Sequence, residues 1–246
     1  MQRFIFIIPV LFLLISLSTF CFLNRLPRFV LWAWERPEDL SFLEDKSIGV
    51  AYYAGGIVYS NYGMELIPRL NTIIIKPETK KIAVIRIDNK GSGSSLKSDY
   101  LKMSANFITN LCKDSNLTAC QIDFEVRSSE KDFYKKLISE VRNKLTYRVP
   151  LTITALASWC DKNSWLNSLA IMATPMFYRL GLEDHEIKTG LVGKTFMQAR
   201  ACQKSIGVST DEKLPDSKYF KNKSIFIFNP NSWTSASLAD IMSRIK

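Results

Sequence analysis

Histidine is almost absent from this chain of 246 residues, and its cysteines follow no metal-binding pattern. His185 is the only histidine, and no two cysteines have the Cys-x-x-Cys spacing. A metal site is therefore poorly supported, because zinc sites use cysteine and histidine ligands at such spacings. Three acidic residues flank His185. They predict an exposed loop or helix start rather than the base of a serine or cysteine nucleophile.

Other common motifs are missing as well. The sequence has no Gly-x-Ser-x-Gly elbow, and the glycine-rich stretch 91–95 lacks the lysine that follows in a phosphate-binding loop. It also has no repeat of solenoid period and no low-complexity linker. With 47% hydrophobic residues, the chain can bury a sizeable core. We predict no cofactor and no metal.

The first 26 residues differ in kind from the rest. Arg3 precedes an apolar run from Phe4 to Leu23, which Asn24 and Arg25 close. The run predicts an export signal or an N-terminal membrane anchor, since about 20 apolar residues span a bilayer. Its cleavage is left open, because the sequence around Phe20 has no small-residue cleavage pattern. We expect an exported protein, periplasmic, extracellular or anchored facing outward, with residues 4–23 as candidate tether and 27–246 as one domain.

Export changes the interpretation of the cysteines. Beyond Cys21 there are four, and an even number suits two disulfides in an oxidising compartment. Three connectivities are open. We favour Cys112 with Cys120, which closes a short loop, and Cys160 with Cys202, which ties two distant loops.

The net charge of +10 comes from dispersed residues. Basic and acidic side chains alternate along the predicted helix after residue 128, which is typical of a solvated face. We predict no nucleic-acid binding, because no supporting motif is present and the leader argues against it. Attraction to anionic envelope glycans or to lipid surfaces stays open. The oligomeric state is not predicted.

Short apolar runs recur along the chain and alternate with polar or helical segments. Eight runs are predicted to be strands: Phe29 to Trp34, Ile48 to Tyr53, Ile82 to Ile87, Ala119 to Phe124, Leu151 to Leu156, Ile171 to Met176, Ser205 to Ser209 and Ser224 to Phe228. Helices are predicted at about 98–111, 128–145, 193–204 and 237–245. This alternation implies parallel pairing, so we predict a short (β/α)8 barrel of the TIM type. The region from Gly55 to Pro77 predicts a β-hairpin insertion between barrel strands 2 and 3.

The stretch Gln121 to Glu125 carries the most informative pattern. In a strand, Gln121, Asp123 and Glu125 share one face. Carboxylates on the inner face of a buried strand are costly unless they are paired, hydrogen-bonded or functional. Such a pair in a cleft is suited to general acid chemistry. We therefore take Glu125 and Asp123 as candidate catalytic residues.

In a TIM-type barrel the active site lies at the carboxyl ends of the strands. Polar and aromatic side chains collect there in this sequence, and those predicted to bind substrate are Glu35, Tyr52, Arg86, Asp88, Gln121, Trp159, Tyr178, Arg179, Asn229 and Trp233. Aromatic rings mixed with carboxylates, arginine and asparagine favour an oligosaccharide or polysaccharide ligand. Alternatively, Tyr52 packs between barrel and helices, and Arg86 and Arg179 are structural ion-pair partners of Asp123 and Asp88.

Five segments together resemble a bacterial family of exported proteins classed only as a domain of unknown function. They are Trp32-Ala-Trp-Glu-Arg-Pro-Glu-Asp-Leu40, Gln121-Ile-Asp-Phe-Glu125, Thr154-Ala-Leu-Ala-Ser-Trp-Cys160, Pro175-Met-Phe-Tyr-Arg-Leu-Gly181 and Gly207-Val-Ser-Thr-Asp-Glu212. The resemblance covers nearly all of the chain after the leader. It implies no established reaction.

A more distant resemblance is to the chitinase-like glycoside hydrolases of family eighteen. Their Asp-x-Asp-x-Glu pattern is matched by Asp123 and Glu125, with Gln121 at the outermost position. The resemblance implies that Glu125 is the general acid, that Asp123 orients a substrate N-acetyl group and that Tyr178 helps to hold it. Trp233 is the candidate for the tryptophan beneath the sugar. Gln121 and Arg179 depart from the pattern, since both replace carboxylates.

Two functions are therefore weighed. The first is a glycoside hydrolase acting on an envelope or extracellular polysaccharide. An ordinary retaining or inverting mechanism needs a second carboxylate about 5 to 9.5 Å from the first, and Asp88, Glu35 and Asp211 are the candidates. The second is a non-catalytic glycan-binding or envelope scaffold protein with the same fold.

Overall fold

The computed structural model describes residues 26–91, 96–145, 149–181 and 197–245. Eleven β-strands lie in these ranges. In chain order they are β1 (Phe29–Ala33), β2 (Glu38–Asp39), β3 (Ile48–Tyr59), β4 (Met64–Pro68), β5 (Ile73–Ile74), β6 (Lys80–Asn89), β7 (Leu117–Phe124), β8 (Leu151–Leu156), β9 (Met172–Met176), β10 (Ser205–Ser209) and β11 (Ser224–Phe228).

Eight of these strands form a closed parallel barrel, which confirms the predicted TIM-like fold. The parallel pairing runs from β1 through β3, β6, β7, β8, β9 and β10 to β11. Strand β11 then pairs with β1, with Phe29 opposite Ile225, and so closes the sheet. Strands buried on both faces need apolar residues at nearly every position. This is why each appears in the sequence as a short continuous apolar run.

Three of the four predicted helices are found, and they cover the outside of the barrel. They are α1 (Ser98–Leu111), α2 (Lys131–Lys144) and α3 (Ser235–Ile245). Each buries an apolar stripe against the barrel, such as Leu137, Ile138 and Val141 of α2. The helix predicted at 193–204 falls partly outside the described residues. In the described part stands a short 3-10 turn, Arg200–Cys202, next to a backbone hydrogen bond from Ala199 to Cys160.

Additional short strands flank the barrel after β1 and β3. Strand β4 pairs antiparallel with the end of β3, with Tyr59 opposite Met64 and Gly55 opposite Pro68. Strand β5 is only two residues long and pairs in parallel with β2. The residues between β3 and β6 therefore contact both the barrel wall and the segment that follows β1.

The core has an inner layer inside the barrel and an outer layer between barrel and helices. Val30, Trp32, Val84 and Phe226 belong to the inner layer, whereas Ile85, Ile122 and Val208 belong to outer clusters. This division follows from the alternation of side chains along each strand. Polar side chains also lie inside the barrel, including fully buried Gln121, Thr152 and Thr174.

The structure confirms both favoured disulfides. Cys112 at the end of α1 is bonded to Cys120 in β7, and Cys160 is bonded to Cys202 across 42 positions of sequence. Two disulfides favour an oxidising environment of the kind met by exported proteins. Residues 1–25, which hold nearly all of the predicted leader, lie outside the described residues. Within the part that the structure describes, none of the helices has the length and apolar character needed to cross a membrane.

Candidate functional site

A cavity of about 750 Å³ opens at the carboxyl ends of the barrel strands. Its lining combines two carboxylates, three arginines, three aromatic rings and four smaller apolar residues. These residues are Trp34, Arg36, Arg86, Asp123, Glu125, Leu156, Ala157, Met176, Tyr178, Arg179, Leu180 and Phe228. They come from the ends of β1, β6, β7, β8, β9 and β11 or from residues directly after them. The position is the one at which barrels of this type hold their active sites.

Arg86 connects the carboxylates of the cavity. Its Nη1 donates hydrogen bonds to Asp123 Oδ2 at 2.7 Å and to Glu125 Oε1 at 3.2 Å. Its Nε donates to Asp88 Oδ1 at 3.0 Å. Because one nitrogen serves both Asp123 and Glu125, those two carboxylates lie side by side. The predicted neighbours Arg86, Asp88, Asp123 and Glu125 are thus brought together.

The two candidate catalytic carboxylates differ sharply in exposure. The side chain of Asp123 is 1% exposed, whereas that of Glu125 is 44% exposed. Thr154 Oγ1 donates a second hydrogen bond to Asp123, at 2.5 Å from Oδ1. Both oxygens of Asp123 are therefore held by the protein, and Glu125 is the member of the pair that a ligand can reach.

Arg86 keeps its positive charge firmly. Burial alone would lower its pKa, but the charge and hydrogen bond of Asp123, with the charges of Asp88 and Glu125, raise it well above the ordinary value. A partly buried cation surrounded by three anions is stabilised in its charged form. Arg86 is consequently a fixed charge at the base of the cavity.

An aromatic wall faces the carboxylates. The rings of Tyr178 and Phe228 stack with centroids 5.4 Å apart and an interplanar angle of 2°, and Trp32 meets Tyr178 edge-on. Burial, together with the charges of Asp123 and Glu125, raises the pKa of Tyr178 well above its ordinary value. The Tyr178 hydroxyl is therefore neutral across the physiological range and can donate a hydrogen bond.

Gln121 lies inside the barrel, next to Trp32. It is fully buried, and its Oε1 accepts a hydrogen bond from Trp32 Nε1 at 2.9 Å. The backbone carbonyl of Trp32 in turn accepts a hydrogen bond from Trp233 Nε1 at 2.9 Å. Among the described residues, Gln121 Nε2 has no hydrogen-bond partner. The amide at this position thus holds a tryptophan in place and does not contact Asp123 by hydrogen bonding.

Arg179 lies at the mouth of the cavity and has different partners from Arg86. Its guanidinium packs over the ring of Phe228 at 5.4 Å, and its Nη2 donates to Asp211 Oδ2 at 3.1 Å. Its backbone is left-handed with φ of 52°, and its backbone N–H donates to Glu212 at 2.9 Å. Arg179 thus forms its ion pair with Asp211, whereas Glu125 forms its ion pair with Arg86.

Two of the predicted substrate-binding residues belong to the outer packing of the barrel. Tyr52 is half-buried against both outer clusters, because its neighbour Ala51 occupies the inward position on β3. Burial and the charge of Asp114 raise the pKa of Tyr52. Trp159 is buried in a 3-10 turn after β8 and packs edge-on against Trp165.

Three others, Glu35, Asn229 and Trp233, stabilise the rim of the barrel. Glu35 accepts hydrogen bonds from the backbone of Leu70 and Asn71. Burial alone would raise its pKa, but these hydrogen bonds and the charge of Arg69 lower it overall. Asn229 is buried and accepts from Thr210. Trp233 is buried too, and its ring nitrogen donates a hydrogen bond to the backbone carbonyl of Trp32. None of the three lines the cavity.

Several residues that shape the site were not among the predicted ones. Arg36 lines the cavity and is held by Glu38 Oε1 at 2.9 Å and by the backbone carbonyl of Asn229 at 2.7 Å. Arg69 donates to the backbone carbonyls of Trp34 and Arg36 and so fixes the chain after β1. Thr154 could have been found from its position in β8, since the alternation of that strand places it on the inner face.

The cavity combines ring surfaces with charged hydrogen-bonding groups. Trp34, Tyr178 and Phe228 offer ring surfaces, and Glu125 and Arg86 offer charged hydrogen-bonding groups. Among the described residues, no group of three or more histidine, cysteine or acidic side chains could hold a metal ion. The chain matches no protein-family model, no curated protein and no solved structure, so its family is not assigned by similarity.

Proposed function

We propose that the protein is a glycoside hydrolase-like barrel that acts on an envelope or extracellular polysaccharide, with Glu125 as general acid. One observation carries the proposal: an accessible glutamate lies beside a buried aspartate in an aromatic-lined cavity at the carboxyl ends of the strands. Asp123, held by Thr154 and Arg86, is the orienting partner. Tyr178, which lines the same cavity, is proposed to donate a hydrogen bond to a substrate oxygen.

In this proposal the residues from Gly55 to Pro77 are an insertion that supports the rim of the cavity. Strand β4 extends the wall formed by β3, and Arg69 binds the carbonyls of Trp34 and Arg36. The two disulfides agree with an exported protein that meets polysaccharide outside the cytoplasm.

The test is replacement of Glu125 by glutamine, which keeps the shape of the side chain and removes its proton chemistry. On a polysaccharide that the native protein hydrolyses, we expect a loss of about 100-fold or more in kcat, the range of general acid catalysis. Oligosaccharide binding and thermal stability should remain. The matched control is Glu65→Gln, an exposed glutamate on β4 that does not line the cavity. An unchanged kcat for Glu125→Gln would remove Glu125 from the catalytic role.

The charge pattern around Arg86 favours a second candidate, a non-catalytic glycan-binding protein. Arg86 donates hydrogen bonds to Asp88, Asp123 and Glu125 at once, so a ligand that binds Glu125 Oε1 must share it with Arg86. For a binding protein, we expect the native chain to retain oligosaccharides on an array without turnover of any of them. Release of reducing ends by the native protein, lost in Glu125→Gln, would decide for the hydrolase.

A further inference from the structure

The end of the barrel opposite the cavity carries an arc of basic residues. The arc follows five neighbouring strands, β10, β11, β1, β3 and β6, at the ends where they begin. The basic residues in the three positions before each strand or in its first two positions are Lys204, Lys221, Lys223, Arg28, Lys46, Lys80 and Lys81. The same positions hold only two acidic residues, Asp45 and Glu78. All five strands are parallel, so these residues share one face.

The charges of this basic arc are not neutralised within the part of the chain that the structure describes. None of its seven basic residues forms an ion pair with a described acidic residue. Burial lowers the pKa of Lys223, and the nearby positive charge of Lys204 lowers it further. Arg28 donates hydrogen bonds to the carbonyl groups of Phe220 and Lys223, and its guanidinium packs over the ring of Phe29. Lys46, Lys204 and Lys221 are exposed and free to meet a partner.

The start of the described chain lies at the same end. Leu26 is buried in the inner layer of the barrel, and Pro27 packs against Gly49 near the start of β3. In the sequence, only Asn24 and Arg25 separate the apolar run 4–23 from Leu26. Basic clusters beside a membrane-inserting segment are attracted to anionic lipid by about 1 kcal/mol for each lysine or arginine near the surface.

We propose that this basic arc docks on an anionic phospholipid bilayer, so that the cavity at the other end of the barrel opens away from the membrane. This docking depends on the positive face at the start of the strands and on the entry of the chain from that side, and not on what the cavity binds.

The first test measures partition of the full-length protein onto vesicles. The apolar run 4–23 contributes equally on phosphatidylcholine vesicles and on phosphatidylcholine–phosphatidylglycerol vesicles, and every variant keeps Arg3 and Arg25. A variant's loss of excess binding to the anionic vesicles therefore reports the charges that it replaces. Replacing Lys46, Lys204 and Lys221 by glutamine should weaken the excess binding to the anionic vesicles about 100-fold. The matched control replaces Lys102, Lys131 and Lys136, which lie on α1 and α2 at the side of the barrel. An equal effect of both triple variants would show only a response to net charge and would overturn the proposal.

A second measurement reports orientation directly. The native full-length protein is acetylated on its lysines with and without anionic vesicles, and the modified sites are identified by mass spectrometry. The vesicles should protect Lys46, Lys204 and Lys221 from acetylation. Lys90 and Lys213 are exposed and follow the carboxyl ends of β6 and β10, so they should stay reactive. Protection of Lys90 and Lys213, or no protection at Lys46, Lys204 and Lys221, would contradict the proposed orientation.

Discussion

At the scale of single residues, Arg86 holds three carboxylates in one network, and two of them, Asp123 and Glu125, follow the same inner face of β7. The sequence indicates the carboxylates because they interrupt an apolar strand. It does not show which arginine meets them, since Arg86 and Arg179 both lie near the carboxyl ends of apolar runs. The register of β6 beside β7, which places Arg86 opposite Asp123, decides between them.

Gly207 is a residue whose lack of a side chain lets the inner layer pack. A Cβ there would lie 2.9 Å from the Trp32 ring and 3.3 Å from the Pro175 carbonyl oxygen. We expect Gly207→Ala to lower the free energy of unfolding by about 1–3 kcal/mol, because overpacking forces neighbours to shift. Urea unfolding measures the change. Gly63→Ala is the control, since a Cβ at Gly63 has nothing within 4 Å. Equal effects of the two substitutions would refute this packing argument.

Because Tyr59 is buried, we expect the free energy of unfolding to fall at alkaline pH. Burial raises its pKa from 10.0 to about 12, while a hydrogen bond with Ser104 opposes the rise. The unfolded chain loses this proton near pH 10.0 and the folded chain only near 12. The stabilisation from Tyr59 is thus complete below the lower value and lost as pH rises through the upper one. This stabilisation amounts to about 2–3 kcal/mol, because the pKa values of Tyr59 in the folded and unfolded chain differ by about two.

Urea unfolding of the native protein and of Tyr59→Phe at about pH 8 and about pH 11 tests this linkage. The native protein should lose more stability than the variant between the two conditions, because phenylalanine has no proton to release. Tyr62→Phe is the matched control, as Tyr62 is fully exposed. A parallel loss in the native protein and in Tyr59→Phe would show that Tyr59 does not carry the effect.

At the scale of elements, the disulfides join segments that the barrel pairing does not. Cys112–Cys120 connects the end of α1 to β7, the strand that carries Asp123, and spans 8 positions. Cys160–Cys202 connects the 3-10 turn after β8 to the one before β10 and spans 42 positions. All four cysteines are almost fully buried, so removing either pair costs similar packing.

The two bonds should differ in their effect on stability. In the chain-entropy description, a disulfide that closes a longer loop stabilises the protein more. The expected stabilisation is about 4 kcal/mol for Cys160–Cys202 and about 2.5 kcal/mol for Cys112–Cys120. We therefore expect the Cys160→Ala, Cys202→Ala double variant to be less stable than the Cys112→Ala, Cys120→Ala double variant, as measured by urea unfolding. Each double variant serves as the control for the other. The reverse order would show that native-state packing outweighs loop entropy.

At the scale of the whole molecule, the sequence predicts the barrel better than it predicts the site. Strands buried on both faces reveal themselves as apolar runs, and the eight runs are the eight barrel strands. The direction of a side chain at a strand end is harder to predict. Tyr52 faces outward because Ala51 takes the inward position, and Glu35 turns to a loop whose fold depends on contacts 35 positions away. Such contacts leave no periodic signal in the sequence.

The closure of β11 against β1 also bears on how the molecule folds. Phe29 pairs with Ile225, nearly the full length of the described chain away. A ribosome or an export channel releases the first strand long before the last, so β1 stays without one of its two neighbours until residues 224–228 emerge. Contacts of such high sequence separation slow folding and prolong the exposure of unpaired strand edges. We therefore expect the nascent chain to keep one edge of β1 unpaired until its final strand is delivered.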